Sequence, residues 1–165
     1  MKLLANWAVQ GVLCGALGLF AMASPAFSQA SPPPSEQAKQ LAMMVGRAAA
    51  EIDSKGRAAF PEFRKEGSEW FQGSTYLVVF NMKLDMLFDA GEPKYEGNNA
   101  AYVMDSAGKA FIKEFAKVAQ SPGSGWVDFM WPKAGQTQAS HRWAFVKSVT
   151  VDGEPGLVEA GFYPE

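Results

Sequence analysis

Few residue types in this chain could do chemistry. His141 is the only histidine, so a histidine-based metal cluster is excluded and any Ser–His pair must be built on that residue. Gly123-Ser124-Gly125 leads into a strand and lacks the spacing of a nucleotide-binding loop, and no G-x-S-x-G elbow occurs. Glu62, Glu66 and Glu69 read as a solvated face rather than a catalytic carboxylate pair. What stands out is a pair of aromatic segments carrying fixed charges, GSGWVDFMWP at Gly123–Pro132 and RWAFVK at Arg142–Lys147. An apolar strand has no need of Asp128, and a solvated strand has no need of Trp126 and Trp131.

Strand alternation sorts these residues onto faces. Val127, Phe129 and Trp131 share one side of the first segment, and Trp126, Asp128 and Met130 the other. Arg142, Ala144 and Val146 share one side of the second, opposite Trp143, Phe145 and Lys147. If Phe145 and Lys147 line an aromatic cavity, the ammonium sits where water is scarce. A lone buried cation is costly, and a bound carboxylate would supply its countercharge. The residues alone favour the blander reading, in which Lys147 reaches solvent or pairs with Asp128 and the tryptophans are core. His141 fits a strand surface or pocket rim, and an imidazole there would allow pH-dependent binding. A hydrolase or isomerase of small acids, with His141 or Asp128 as base, is the alternative from another class.

The elements that must position these groups are legible. Ser35 is an N-cap, Glu36 follows in the first turn, and Leu41, Met44, Val45, Ala48, Ala49 and Ile52 recur at helical steps until Lys55-Gly56. A shorter helical piece is expected around 58–65, with Phe60 and Phe63 inward. Thr75–Phe80 is β-branched and aromatic, hence a strand covered on both faces, and Met86–Phe88 a second short one. After a loop-rich stretch to Gly108, helical spacing returns over 109–120. Three strands follow at 125–131, 140–150 and 156–163, with Asp152-Gly153 as the hairpin between the last two. Late consecutive strands with short connections pair antiparallel, which makes the fold α+β.

The N-terminus reads as an export signal. Lys2 precedes an uncharged apolar run from Leu3 to Ala23, and Ser28-Gln29-Ala30 offers a small-residue cleavage pattern. A retained single membrane anchor is the alternative. Residues 1–30 are thus assigned to a signal peptide and 31–34, Ser-Pro-Pro-Pro, to a stiff leader. Removing them takes away Cys14, the only cysteine, so the mature chain holds no disulfide and no thiolate site. It also removes Lys2, leaving 14 of the 15 basic groups against all 17 acidic ones. With no basic stripe, nucleic acid is not an expected partner, and no cofactor is expected.

From about Ser35 to Tyr163 the chain resembles a single Cache domain of the second type, the extracellular sensor module of bacterial chemoreceptors and histidine kinases. The stretches that carry the resemblance are PKYEGNN at Pro93–Asn99, DSAGKAF at Asp105–Phe111, GSGWVDFMWP, RWAFVK and the closing GLVEAGFY. The resemblance implies a long N-terminal helix packed on a PAS-like antiparallel sheet of about five strands. It also implies a cavity for a small organic acid on the other side of that sheet. Trp126, Asp128, Trp131 and Lys147 match the family pattern. Arg142 stands where lysine is usual, Phe129 and Phe145 where tyrosine is usual, and Asp89 where many members have histidine. These departures leave open a more apolar or differently shaped acid, or a degenerate pocket in an accessory protein. The expected ligand-binding set is Lys147, Arg142, Trp126, Asp128, Phe129, Trp131 and Phe145, with Tyr76 from the early strand. Within it Asp128 is expected to tie its strand to a neighbour rather than face the acid. Lys147 is the first choice for the ligand carboxylate. The whole is then one sensor domain over 35–165, freestanding in the periplasm without a transmitter of its own, binding a small carboxylate and read by a membrane receptor or kinase.

Overall fold

The computed structural model describes residues 30–164, so the proposed signal peptide lies outside the described residues except for Ala30. Helix α1 spans Glu36–Lys55, and the Ser35 side chain accepts the Ala38 N–H at 3.1 Å. It stops where Gly56 takes a positive φ of 56° and returns its own N–H to the Ile52 carbonyl. A 3-10 turn at Gly56–Ala59 leads into a single turn, α2, at Phe60–Phe63, started by Pro61. Among the described residues no helix is long and apolar enough to cross a membrane.

Six strands make the sheet: β1 Phe71–Gln72, β2 Thr75–Asn81, β3 Met86–Asp89, β4 Ser124–Pro132, β5 Ala139–Val151 and β6 Glu154–Phe162. The order is β1-β2-β6-β5-β4, with β3 also paired to β2, and every pairing is antiparallel. The sequence reading of about five strands lacked β1, a two-residue element held by Phe71 opposite Tyr76. Asp152 and Gly153 both take positive φ, 52° and 89°, and close the β5–β6 hairpin. Asp53 Oδ1 accepts the Thr150 N–H at 2.7 Å and Asp152 Oδ1 accepts the Arg57 N–H at 3.2 Å. These two bonds fix the end of α1 over that hairpin.

The sheet divides the core in two. On one face α1 and α2 bury Val45, Ala48, Ile52 and Phe63 against Leu77, Val79, Phe88, Trp143, Val158 and Ala160. On the other, α3 (Phe111–Gln120) lays Phe111, Ile112, Phe115 and Val118 against Val78, Phe80, Val127, Phe129, Ala144, Val146 and Leu157. Helix α3 begins two residues later than its apolar spacing predicts. Lys109 is instead committed to a turn, where its N–H is bonded to Asp105 Oδ1 at 2.8 Å.

Candidate functional site: a cavity with an under-paired arginine

The second face is incompletely filled. Between the sheet, α3 and the 95–103 segment lies a cavity of about 330 Å³, within the size range of small-molecule sites. Its walls are apolar: Val78, Phe80, Met86, Val103, Phe111, Ile112, Phe115, Phe129 and Trp131. Phe111 stacks on Phe129 at 4.1 Å with the rings nearly parallel, and Trp131 meets Phe111 edge-on at 5.3 Å. Phe129 thus works as an apolar plate where a tyrosine would have brought a hydroxyl.

The mouth is built by backbone pairing. Met86 N–H donates to the Asn98 carbonyl and Gly97 N–H to the Met86 carbonyl, at 2.9 and 2.8 Å. The Asn99 side chain donates to Asp85 Oδ1 and to the Lys83 carbonyl, both at 2.8 Å. The segment from Tyr95 to Ala100 is thereby zipped along the outer edge of β3. Asp105 anchors the next loop by accepting three backbone N–H bonds, from Ala107, Lys109 and Met130, at 2.8–2.9 Å. The Met130 bond is the foremost reason its pKa lies below the usual carboxylate range, and it also covers part of the outer edge of β4.

The charged side chains of the cavity lining are two, Arg142 from β5 and Glu159 from β6. Arg142 is 5 % exposed and Glu159 6 %. Their pairing is poor for groups so deep. The Arg142 Nη atoms reach the Tyr163 hydroxyl and the Ser74 carbonyl only at 3.5 Å, the outer limit of a hydrogen bond, and Nε has no partner. The guanidinium sits 5.5 Å from the Tyr76 ring centre and 5.3 Å from that of Tyr163, close enough for cation–π attraction. Tyr163 is itself fixed by donating to the Pro132 carbonyl at 2.7 Å. Gly161 makes room for this side chain, since a Cβ there would lie 2.4 Å from Arg142 Nε.

The acids near Arg142 are poorly disposed to neutralise it. Glu159 Oε2 is buried without a partner. Burial pushes its pKa up to about 7, against the pull of Arg142. Burial also raises Asp89, although Glu92 and Gly91 N–H groups donate to its Oδ1 at 2.8 and 2.9 Å. Burial likewise raises Tyr76. Below neutral pH, therefore, Glu159 is mostly protonated and supplies Arg142 no full countercharge.

The structure brings together four of the residues singled out from sequence: Arg142, Phe129, Trp131 and Tyr76 all line the cavity. The other four lie elsewhere. Trp126 and Phe145 pack on each other at 5.0 Å on the α1 face. Lys147 shares their side of β5 by alternation. Asp128 ties β4 to its surroundings, holding Lys109 Nζ at 2.9 Å and His141 Nε2 at 3.1 Å. Partial burial works against its charge, but the bonds from Lys109 and His141 outweigh this and set its pKa below the usual value. Two residues that face Arg142, Glu159 and Tyr163, are absent from the sequence-derived set. Glu159 carried a signal: it is the lone acid in the apolar run Leu157–Phe162.

The fold, with a cavity on the face opposite the long helix, is shared with Cache sensor domains. The Single Cache domain 2 family matches residues 36–151, and the chain belongs to that family. It is similar to the solved periplasmic sensor domain of a chemotaxis protein, with 26 % identity and a TM-score of 0.60 over 77 % of this chain and 90 % of that one. A Cache chemosensory domain solved for its carboxylic acid recognition shares the fold at 20 % identity and a TM-score of 0.59, covering 76 % and 88 %. So does a methyl-accepting chemotaxis protein from Vibrio parahaemolyticus, at 18 % identity and 0.60, covering 76 % and 84 %.

Proposed function

We propose that the chain is an exported, periplasmic sensor module that binds a small organic carboxylate in the cavity and is read by a membrane receptor or kinase. One observation carries the reading: Arg142, almost fully buried, lines an apolar cavity with an unpartnered Nε and two over-long bonds. A buried guanidinium in that state costs free energy that a carboxylate, offering two acceptors to its planar fork, would recover. Kinship to a periplasmic chemotaxis sensor, and the shared fold of a domain that recognises carboxylic acids, support the same ligand class. Catalysis finds less support. His141 and Asp128, the pair named as possible bases, meet on the side of β4 and β5 facing away from the cavity, about two-fifths exposed. No cluster of three or more metal-ligating side chains occurs among the described residues.

A thermal-shift screen of short monocarboxylates and dicarboxylates tests the proposal. Saturable stabilisation at millimolar concentration or below, with the acid recovered unchanged, is expected. Turnover of the stabilising acid would make the protein an enzyme. No stabilisation by any acid at about 10 mM would overturn carboxylate sensing.

A further inference from the structure

The cavity holds a second orphaned group that a simple carboxylate receptor does not need. Glu159 stands on the same face of β6 as the cavity, with Val78 and Val146 as its register neighbours on either side. Its Oε2 is buried and bonded to nothing, and no ion pair within 4.0 Å joins it to Arg142. The charged and titratable groups around it are few. β5 contributes Arg142, β3 contributes Asp89, and β2 contributes Tyr76. Tyr163 follows β6 beside Arg142. Helix α3 and β4 turn only Phe111, Ile112, Phe115, Phe129 and Trp131 to the cavity.

An anion seated on Arg142 therefore arrives beside a second, buried acid in a largely apolar cavity. Two carboxylates sharing such a site cannot both stay ionised, because each raises the other's proton affinity. A proton between them turns repulsion into a charge-assisted hydrogen bond. Resting on the carboxylate reading above, we propose that the ligand is a monocarboxylic acid with an apolar body, its carboxylate held by Arg142 and by the proton of a neutral Glu159, so that binding is coupled to proton uptake. The apolar body follows from the walls: apart from Arg142, Glu159 and Tyr76 the lining is mostly aromatic and aliphatic. Of its other polar members, Tyr95, Asn98 and Asn99, none is charged, and Asn99 already spends its amide on Lys83, Asp85 and Ala101, so a second carboxylate would lack a cation. The free protein already has Glu159 poised for this, since burial holds its pKa at about 7. Between pH 6 and 8 the empty site passes from mostly protonated to mostly ionised, and the occupied site stays protonated.

Phenylacetate is a suitable probe, because its own carboxyl is ionised throughout that range. Calorimetry should find it bound about tenfold more weakly at pH 8 than at pH 6, the factor for one linked proton with a free-site pKa near 7. Repeating the pH 8 titration in phosphate and in Tris should reveal close to one proton taken up per ligand, against about one tenth at pH 6. Glu159→Gln keeps a hydrogen-bond donor without a titration, so its affinity should vary less than about twofold over the same range. Parent affinity that is flat, or that rises with pH as for a cationic ligand paired to an ionised Glu159, overturns the proposal. The two-buffer measurement on the parent decides the matter even where the glutamine variant does not fold. If the acid screen succeeds and the pH dependence is absent, only proton coupling fails. If no acid binds at either pH, both readings fail.

Discussion

The two faces of the sheet are made from the same strands by the same alternation, yet they have opposite characters. Toward α1, β2, β5 and β6 present Leu77, Val79, Trp143, Val149, Val158, Ala160 and Phe162, all buried against a helix whose Val45, Ala48, Ala49 and Ile52 are fully covered. Toward α3 the same strands present Val78, Phe80, Val146 and Leu157, but also Tyr76, Arg142 and Glu159 around open volume. One face is close-packed under α1, and the polar groups on its side are partly exposed, Asp128 being paired with Lys109 and His141. The other gives up packing and leaves polar atoms unsatisfied, each a cost to stability unless a ligand answers it. That asymmetry assigns stability to one side of the sheet and, on the proposed reading, binding to the other.

Truncation on the packed face should give the largest loss of stability. Phe63 is 1 % exposed and lies against Trp70 and Phe88 at 5.0 and 6.3 Å. Phe63→Ala should cost about 4 kcal/mol in denaturant unfolding. A loss under about 1 kcal/mol would mean that the α1 face is loosely packed after all.

On the open face the next largest effect is electrostatic. Glu159 holds its proton up to about pH 7 when folded, against an unfolded value near 4.5. The folded state therefore binds more protons between those values, and stability falls as pH rises through that window. The contribution is fully present below pH 4.5 and lost above 7, on the order of 3 kcal/mol for the ligand-free protein. Glu159→Gln should flatten the fall. A parent profile that rises across the same window through this residue would contradict its burial as an acid.

The two tryptophans of β4 separate the faces most economically. Trp126 packs edge-on against Phe145 and Phe162 on the α1 side, and Trp131 borders the cavity beside Phe111. Trp126→Ala should cost about 3 kcal/mol of stability and leave ligand affinity unchanged. Trp131→Ala should cost about half as much and weaken binding severalfold. Equal stability losses with no change in binding would place both rings in plain core.

Much of the fold was legible because local signals agreed with the global pattern. The Ser35 cap, the helical steps to Ile52, the β-branched Thr75–Phe80 run and the Asp152-Gly153 turn each predicted an element found at nearly those residues. β1 escaped notice because two residues are too short for any period to register. The site was half legible. Alternation put Arg142 and Lys147 on opposite faces, but both faces carry aromatics, and no local pattern says which one the long helix covers. Trp143 and Phe145 drew the choice to Lys147, and those rings are the ones that meet α1 and its neighbours. Glu159 is harder to read, because a single acid in a closing strand carries no local sign of burial until the flanking strands β2 and β5 are in place.

Which cation meets the ligand decides how the site works. Isothermal calorimetry with the best acid from the screen, on Arg142→Met and Lys147→Met, addresses this directly. Arg142 lines the cavity and Lys147 lies on the other side of β5. Loss of a charge-assisted contact to a desolvated carboxylate should weaken binding by Arg142→Met about thirtyfold or more. Lys147→Met should bind within about twofold of the parent, and circular dichroism should find both variants folded. Retained affinity in folded Arg142→Met, or a large loss in Lys147→Met alone, would contradict carboxylate recognition by the buried arginine.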